Sequence, residues 1–361
     1  MYEKKLREII SSIKPTDIDA KKKAQMQLDS LAKPPGSLGR LEDFAVTLSG
    51  VFGEVPKSLK PRCVIITASD NGVVEEGVAS APKEFTLTQT RNFNKGLTGV
   101  CVTSRVADAF LIVADLGVDT EEKIEGVIDM KIARGTKNIA LGSAMTREEC
   151  VKAVLSGVKL AEKAKKQGCM MAGVGEMGIG NTTTTAAALC ALTNCAPSDA
   201  TGKGAGLSSA AYEKKISVIE RALKVNNPDR NDVIDVLSKV GGFDIAAMTG
   251  VYLGCALYGM VSVIDGFISM TAALCAYRLC EYSRDYMLPS HFSAEKGNII
   301  AYRALGIEPV LKLDMRLGEG SGCPLAFMLA DTSCAIYHET ATFAEACVNA
   351  EYLEAIEDFE N

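Results

Sequence analysis

The chain has 361 residues, of which 47% are hydrophobic and 23% are charged, a balance typical of a globular protein that buries a sizeable core. This composition excludes extended disorder. The net charge of −6 and the isoelectric point near 5.3 argue against a nucleic-acid partner, since no cluster of basic residues offsets them. The length allows about two average domains, although a parallel α/β sheet often grows larger as one domain.

The N-terminal residues show a charged helical pattern without the apolar core of a signal peptide, and no apolar run reaches membrane-spanning length. The sequence therefore predicts a cytoplasmic protein that is not inserted in a membrane. Its 12 cysteines are scattered through apolar segments, as at Cys63 and Cys190, which indicates buried reduced thiols. The cysteine spacing and the two histidines, His291 and His338, predict no metal site.

Residues 1–52 are predicted to be helical, with a loop at 33–40 that contains two prolines and two glycines. Six short apolar runs then predict buried strands, each but one followed directly by small, polar or acidic residues: Val64–Ala68, Ala109–Ala114, Cys169–Val174, Met260–Ile264, Tyr286–Leu288 and Pro309–Leu313. Helical stretches separate many of these runs, which is typical of βαβ units and a parallel sheet.

The pattern becomes helical again over residues 324–349, and an acidic tail follows. We therefore predict an α/β protein with a large domain over residues 53–324 that carries the active site. A smaller helical subdomain is predicted from residues 1–52 together with about 325–361. Because ligands of parallel sheets bind beyond the carboxyl ends of the strands, the polar residues after the predicted strands are the first site candidates.

A glycine-rich segment, residues 173–185, follows the third predicted strand and leads into an alanine-rich helix. Such a turn brings backbone N–H groups to a ligand, and the helix N-terminus attracts an anion, so the segment suits a phosphate. The spacing matches neither the Walker A pattern nor the usual dinucleotide fingerprint. The alternative is a glycine turn capped by threonine.

A second glycine cluster, residues 201–207, precedes a helix that carries Lys214 and Lys215. A lysine in this place could close over a phosphate that backbone amides already hold. Solvated helix lysines after a loop are the alternative.

A third segment, residues 313–324, places Glu319 between two glycines just after a predicted strand. Glycines let a substrate approach closely and allow backbone angles that other residues resist. In a partly apolar pocket the pKa of such a carboxylate rises toward neutrality, and it can accept a proton from an azole or a phenol. Glu319 is therefore the candidate general base, and an ordinary surface glutamate is the alternative.

Two further strand ends carry polar groups. Asp70 could orient a sugar hydroxyl, although aspartate and asparagine at this position also cap turns. His291 could contact a ligand, although a structural role is more common for a lone histidine.

Taken together, these segments closely resemble the nicotinate-nucleotide:dimethylbenzimidazole phosphoribosyltransferases of cobalamin lower-ligand assembly. The resemblance covers nearly the whole chain in family order, at residues 33–42, 70–84 and Gln89, 173–183, 241–244, 265–267, 289–296 and 316–322. It implies a Rossmann-like parallel sheet, a helical subdomain built from both termini, no cofactor and a homodimer. Some related enzymes are heterodimers of paralogous chains.

The resemblance also implies a reaction and a set of site residues. A base nitrogen attacks the anomeric carbon of nicotinate mononucleotide, nicotinate leaves, and an α-ribotide phosphate forms with inversion, with Glu319 as the base. The residues that match nucleotide and phosphate contacts are Glu176, Gly178, Gly180, Asn181, Thr182, Gly204, Lys215, Ser293 and Arg316. Those that match contacts to the incoming base are Asp70, Asn71, Ala81, Gln89 and Met177.

The chain departs from the family at two of these positions. Asn71 stands where the family often has histidine, and Ala81 where it has serine, so the acceptor pocket is expected to be less polar. The acceptor could be dimethylbenzimidazole, another benzimidazole, adenine, a phenol or a cresol. Two rival interpretations stay open: a nucleotide-dependent oxidoreductase, which predicts an early dinucleotide fingerprint that the sequence lacks, and a non-catalytic binding paralogue.

Overall fold

A computed structural model describes residues 1–202 and 208–349. Within these residues the structure contains one sheet of six parallel strands: β1 (Arg62–Ser69), β2 (Phe110–Gly117), β3 (Ile128–Asp129), β4 (Met171–Met177), β5 (Val261–Ile264) and β6 (Met287–Pro289). The strand order across the sheet is β3-β2-β1-β4-β5-β6. The predicted α/β class with a Rossmann-like parallel sheet is confirmed.

Fourteen α-helices are present in the described residues, together with two 3-10 helices at Gly72–Glu76 and Glu281–Tyr286. The α-helices are α1 (Tyr2–Ser12), α2 (Ile18–Asp29), α3 (Arg40–Phe52), α4 (Phe85–Asn94), α5 (Gly99–Val106), α6 (Arg147–Lys166), α7 (Asn181–Thr193), α8 (Pro197–Ala200), α9 (Ser209–Asn226), α10 (Val233–Val240), α11 (Phe243–Leu257), α12 (Phe267–Leu279), α13 (Asn298–Leu305) and α14 (Cys323–Glu339). In the described part of the chain, none of the helices is long and apolar enough to cross a membrane.

The strand order creates a cleft at the centre of the sheet. From β1 the chain builds outward through β2 and β3, and it then returns to place β4 on the other side of β1. The connections that leave β1 and β4 therefore diverge at their carboxyl ends, and ligands of open α/β sheets bind at such a switch point. The paired register sets Ala68 of β1 beside Met177 of β4, so the polar residues that follow both strands emerge side by side.

Five of the six predicted strands are confirmed, and the sixth, Pro309–Leu313, is wrong. Leu311 makes only an isolated parallel bridge with His291, and Leu313 is 51% exposed. A proline lacks the N–H that a ladder requires, so this segment flanks the sheet edge without extending it. The two-residue strand β3 was not predicted, because so short an edge strand leaves almost no apolar pattern.

The chain divides into two compact units. The larger contains Met1–Pro15 and Lys60–Ala326, and the smaller contains Thr16–Leu59 and the chain from Phe327 onward. The sequence prediction placed all of residues 1–52 in the smaller unit. Instead α1 belongs to the larger unit, where the hydroxyl of Tyr286 donates to the carbonyl of Lys14 at 3.0 Å. The predicted boundary near residue 325 falls inside α14.

The smaller unit has its own core. Helices α2 and α3 pack together and bury Leu28, Phe44 and Leu48, each no more than 2% exposed. The described C-terminal part returns to this helical pair through an antiparallel bridge between Leu31 and Thr342. Distant parts of the chain are thus joined within the smaller unit.

In the larger unit, α6 and α11 pack against β1 and β2 and cross each other at a very short distance. Thr146 and Glu149 form a capping box that starts α6, which satisfies backbone donors at the helix N-terminus. Glycines make the close crossing possible: a Cβ on Gly250 would lie 1.8 Å from the carbonyl oxygen of Val154, and a Cβ on Gly157 would lie 1.8 Å from that of Ala247. Backbone therefore packs directly on backbone.

The Gly250→Ala variant should lower the free energy of unfolding by about 1–3 kcal/mol, because the added methyl group forces the two helices apart. Denaturant unfolding of the whole chain measures this change. Gly142→Ala is the matched control, since no atom lies within 4 Å of its would-be Cβ. Equal stability of the two variants would contradict the close crossing.

Candidate active site

A cavity of about 310 Å³ lies beyond the carboxyl ends of β4 and β5 in the larger unit, and the segment that follows β1 also lines it. Its lining residues come from five segments and one helix: positions within 78–89, 175–182, 265–269, 291–295 and 316–319, with Lys215 of α9. These segments are far apart in the sequence, and the parallel sheet brings them to one edge. The cavity therefore occupies the place that the strand order marks for a ligand.

One end of the cavity is formed by the glycine-rich loop between β4 and α7. Gly180 has a φ of +91° and directly precedes α7, and a Cβ on Gly178 would lie 2.3 Å from the carbonyl oxygen of Ser69. Only glycine fits both positions, so the loop folds tightly enough to turn its backbone and the N-terminus of α7 toward the cavity. This end has the geometry of an anion site.

Lys215 reaches the same end from α9. Its side chain is 1% exposed, and Nζ donates to the hydroxyl of Thr182 at 2.8 Å. Burial lowers the pKa of Lys215 to about 8, while the carboxylate of Glu295 opposes this shift. An anion bound at the glycine loop would favour the charged form of Lys215 and pair with it.

Glu319 lines the same cavity. Glu319 has a φ of +64°, and its neighbours Gly318 and Gly320 both have a φ of +82°. Three consecutive residues therefore have left-handed backbone. The side chain is 5% exposed. Gln89 Nε2 donates to Oε1 at 2.5 Å, and the N–H of Val100 donates to Oε2 at 3.4 Å. Burial raises the pKa of Glu319, and nearby Asp265 adds to this, against the lowering effect of the two donors.

Glu176, at the end of β4, lies behind Glu319 in a buried cluster of carboxylates. Burial, Asp244 and Asp265 raise the pKa of Glu176 to about 8, although the side-chain amide of Asn181 and the backbone of Glu319 donate to it. Burial also raises the pKa of Asp244, to about 6. Glu176 is therefore mainly protonated near neutral pH and can itself donate a hydrogen bond.

Part of the cavity wall is apolar. Met177, Ala81 and Gln89, which the resemblance assigns to the incoming base, line the cavity together with Val78 and Phe85. Sequence reasoning missed Val78 and Phe85, because an apolar residue beside a turn gives no signal of its own. A flat aromatic molecule suits such a surface, with Gln89 and Glu319 as its polar contacts.

The structure places Asp70 and Asn71 behind this lining. Asp70 Oδ2 accepts from the N–H of Asp119 at 2.7 Å, and Asn71 Nδ2 lies 3.4 Å from Asp244 Oδ2. Asp70 is thus turned toward the loop after β2, and Asn71 toward the N-terminus of α11. In this structure they support the site and do not face the cavity.

Most of the other predicted residues do face it. Besides Glu319, Lys215 and the acceptor wall, these are Glu176, Gly178, Gly180, Asn181, Thr182, Ser293 and Arg316. His291 also lines the cavity, with Nδ1 3.1 Å from the hydroxyl of Ser290. Gly204 lies outside the described residues. Across residues 1–202 and 208–349, no group of three or more histidine, cysteine or acidic side chains is arranged to hold a metal ion.

Fold and site together define a parallel α/β enzyme with an anion-binding end, an apolar wall and a buried carboxylate at one cavity. A family model described as phosphoribosyltransferase matches residues 13–348. A nicotinate-nucleotide–dimethylbenzimidazole phosphoribosyltransferase of Clostridium perfringens (strain ATCC 13124) is 49% identical over 355 residues, which cover 98% of each chain. One of Ruminiclostridium cellulolyticum is 49% identical over 339 residues, 94% of this chain and 96% of the relative.

Among solved structures, the crystal structure of CobT from Thermus thermophilus superposes with a TM-score of 0.88 at 36% identity and covers 92% of this chain and 99% of that one. The chain belongs to the nicotinate-nucleotide:dimethylbenzimidazole phosphoribosyltransferase family. The resemblance predicted from the sequence is confirmed, and the protein is an enzyme of the phosphoribosyltransferase class.

Glu176 should make stability depend on pH. Its pKa is raised from 4.5 to about 8 in the folded state. The contribution of the protonated carboxyl to the free energy of unfolding is therefore fully present below pH 4.5 and is lost as the pH rises through about 8. Glu176→Gln is neutral throughout. We expect the free energy of unfolding of this variant to increase relative to wild type between about pH 5 and about pH 9.

Denaturant titrations of both proteins across this pH range test the expectation. Glu162→Gln is the control, because Lys166 lowers the pKa of the partly exposed Glu162, and the difference of this variant from wild type should stay flat above about pH 6. A flat difference for Glu176→Gln as well would show that Glu176 ionises normally.

Proposed function

We propose that this enzyme transfers the 5-phosphoribosyl group of nicotinate mononucleotide to 5,6-dimethylbenzimidazole, giving α-ribazole 5′-phosphate and nicotinate. The observation that carries the proposal is the buried Glu319 carboxylate, which lines the same cavity as the glycine loop, Lys215 and several apolar side chains. The names of the related proteins support both substrates.

The glycine loop and Lys215 account for the nucleotide phosphate. Backbone N–H groups at residues 178–182 and the N-terminus of α7 attract the phosphate, and the charged form of Lys215 pairs with it. Arg316 and Ser293 line the same cavity and add a cation and a hydroxyl. The protonated carboxyl of Glu176 can donate a hydrogen bond to the nucleotide. These groups hold the ribose between the phosphate end and Glu319.

The chemical step needs one base. The free ring nitrogen of dimethylbenzimidazole attacks the anomeric carbon and forms the new N–C bond, while Glu319 accepts the N–H proton of the other ring nitrogen. The old C–N bond breaks on the opposite face, and its electron pair neutralises the pyridinium nitrogen as nicotinate leaves. No acid is required for this departure. A carboxylate whose pKa is raised by burial is well matched to the task.

The acceptor wall favours dimethylbenzimidazole over more polar bases. Ala81, Val78, Phe85 and Met177 present no hydroxyl or amide to a second polar edge, so an adenine amino group would lose its hydrogen bonds with water. Another benzimidazole, a phenol or a cresol stays within the same chemistry. Gln89, whose side-chain amide donates to Glu319, adds one polar group beside the carboxylate.

We also propose a homodimer in the cytoplasm that serves nucleotide-loop assembly. Exposed apolar side chains on α5, Val102 at 49% and Val106 at 71%, support a subunit contact. The 12 free cysteines, 10 of them buried, agree with a reducing compartment.

The proposal is tested by incubating the purified chain and its Glu319→Gln variant with nicotinate mononucleotide and a panel of benzimidazoles, adenine and phenols. We expect α-ribotide products by mass and nuclear magnetic resonance, with dimethylbenzimidazole used best. The variant should bind the nucleotide as wild type does and turn over roughly 10²–10⁴ times more slowly.

Glu162→Gln, which changes a partly exposed side chain of α6, is the control variant for purification and folding and should keep wild-type turnover. Absence of product with every acceptor would refute the transferase assignment for the isolated chain. Wild-type turnover of Glu319→Gln would leave the reaction in place and remove Glu319 from its role.

A further inference from the structure

A single buried side chain ties the Glu319 loop to the end of β5. Asp265 directly follows this strand and is 4% exposed. Its Oδ2 accepts from the N–H of Gly320 at 3.2 Å, and its Oδ1 accepts from the N–H of Gly322 at 2.7 Å. The Gly320 N–H belongs to the peptide bond that follows Glu319, so Asp265 fixes the direction of that peptide.

The loop needs such an anchor. Residues 318–320 all have positive φ values, and Glu319 is the one of the three with a side chain to oppose that conformation. The loop also lies directly on β4, since a Cβ on Gly175 would be 2.5 Å from the carbonyl oxygen of Glu319. A shift of the Gly320 peptide would therefore carry the Glu319 carboxylate away from Gln89 and the N–H of Val100.

Asp265 is itself held in place by neighbouring elements. Its backbone N–H donates to the hydroxyl of Ser269 in α12 at 3.1 Å, and its carbonyl accepts from the hydroxyl of Ser290 at 3.0 Å. Its Oδ1 lies 3.9 Å from Nδ1 of His291. The anchor thus connects the loop to the ends of two strands and to one helix, all within the larger unit.

We propose that Asp265 is a positioning residue for the transfer reaction: it holds the backbone at Gly320 and Gly322 so that the Glu319 carboxylate points at the acceptor. This inference rests on the proposed role of Glu319 as the base. Both Asp265 oxygens are engaged by backbone donors, so the residue exchanges no proton with substrate. Its charge has a second effect, because it raises the pKa of Glu319.

The Asp265→Asn variant separates this role from general stability. The amide keeps one acceptor oxygen and turns an NH2 group toward the other backbone N–H, so the loop loosens. We expect kcat to fall by about 10-fold to 10²-fold, as a misplaced catalytic group does. The KM for nicotinate mononucleotide should change by less than about threefold, since the phosphate end is untouched.

The pH dependence of kcat gives a second measurement, which a more mobile Glu319 loop would not change by itself. Glu319 works in its ionised form, and removal of the Asp265 charge lowers its pKa, so the acid limb of kcat should shift to lower pH. The variant leaves the other ionisable groups of the cavity and of the carboxylate cluster in the sequence: Glu176 at the end of β4, Asp244 in α11, His291 after β6, Lys215 in α9, Glu295 in the segment after β6 and Arg316 in the Glu319 loop.

Asp115→Asn is the matched control. Asp115 is a buried strand-end aspartate, 4% exposed, that accepts from the N–H of Val118 at 2.8 Å and lies away from the cavity. This variant should keep both kcat and the acid limb. An unchanged kcat and acid limb in Asp265→Asn, with Glu319→Gln inactive, would overturn the positioning role alone; an active Glu319→Gln would overturn the base assignment instead. A loss in Asp265→Asn without a shifted acid limb would also contradict the proposal.

The wild-type enzyme offers a measurement that needs no variant. If Asp265 holds the two amides, hydrogen exchange at Gly320 and Gly322 should be at least roughly 10²-fold slower than in an unstructured peptide. Unprotected exchange at both positions would refute the anchor even if Asp265→Asn fails to fold.

Discussion

The close approach of the Glu319 loop to strand β4 is the constraint on which the site depends. Gly175 of β4 lacks a side chain, and the carbonyl of Glu319 occupies the space that a Cβ would fill, at 2.5 Å. Glycines on both sides of Glu319 permit the left-handed backbone that this approach requires. The result is a carboxylate that enters the cavity from a rigid edge, and rigid placement is what a general base needs.

Burial of several carboxylates in one small volume has an electrostatic consequence. Glu176, Asp244, Asp265 and Glu319 share the edge of the sheet, and burial raises the pKa of each. Ionisation of all four carboxylates would cost a large electrostatic free energy, because like charges repel strongly where water is scarce. Their hydrogen-bond partners differ and give them different states. Backbone donors stabilise the charge of Asp265, Glu176 is mainly neutral, and Glu319 lines the cavity, where an acceptor base can reach it.

Much of this arrangement was predictable from sequence because it depends on short local patterns. Buried strands leave uninterrupted apolar runs, and Gly178, Gly180 and Glu319 lie in glycine-rich turns shortly after predicted strands. The orientation of Asp70 and Asn71 was not predictable. The sequence shows that they follow a strand, but it does not show which residues their side chains bond to. The failed strand at Pro309–Leu313 has a related cause: its apolar residues cover the edge of the sheet and are partly exposed.

The role of Asp265 shows the same limit more clearly. The sequence places an aspartate at a strand end, while its partners, Gly320 and Gly322, lie more than 50 positions away. No local pattern encodes such a pairing. Tertiary structure supplies it, and the pairing links the strand that ends at residue 264 to the loop that carries the base.

Chemical rescue tests the central claim most directly. In the Glu319→Gly variant the glycine accepts the left-handed backbone without strain and leaves a space where the carboxylate was. Added formate should enter this space and restore formation of the α-ribotide in proportion to its concentration until saturation, whereas chloride at equal ionic strength should not. Nucleotide binding without any response to formate, or full turnover in its absence, would contradict the assignment of Glu319 as the proton acceptor.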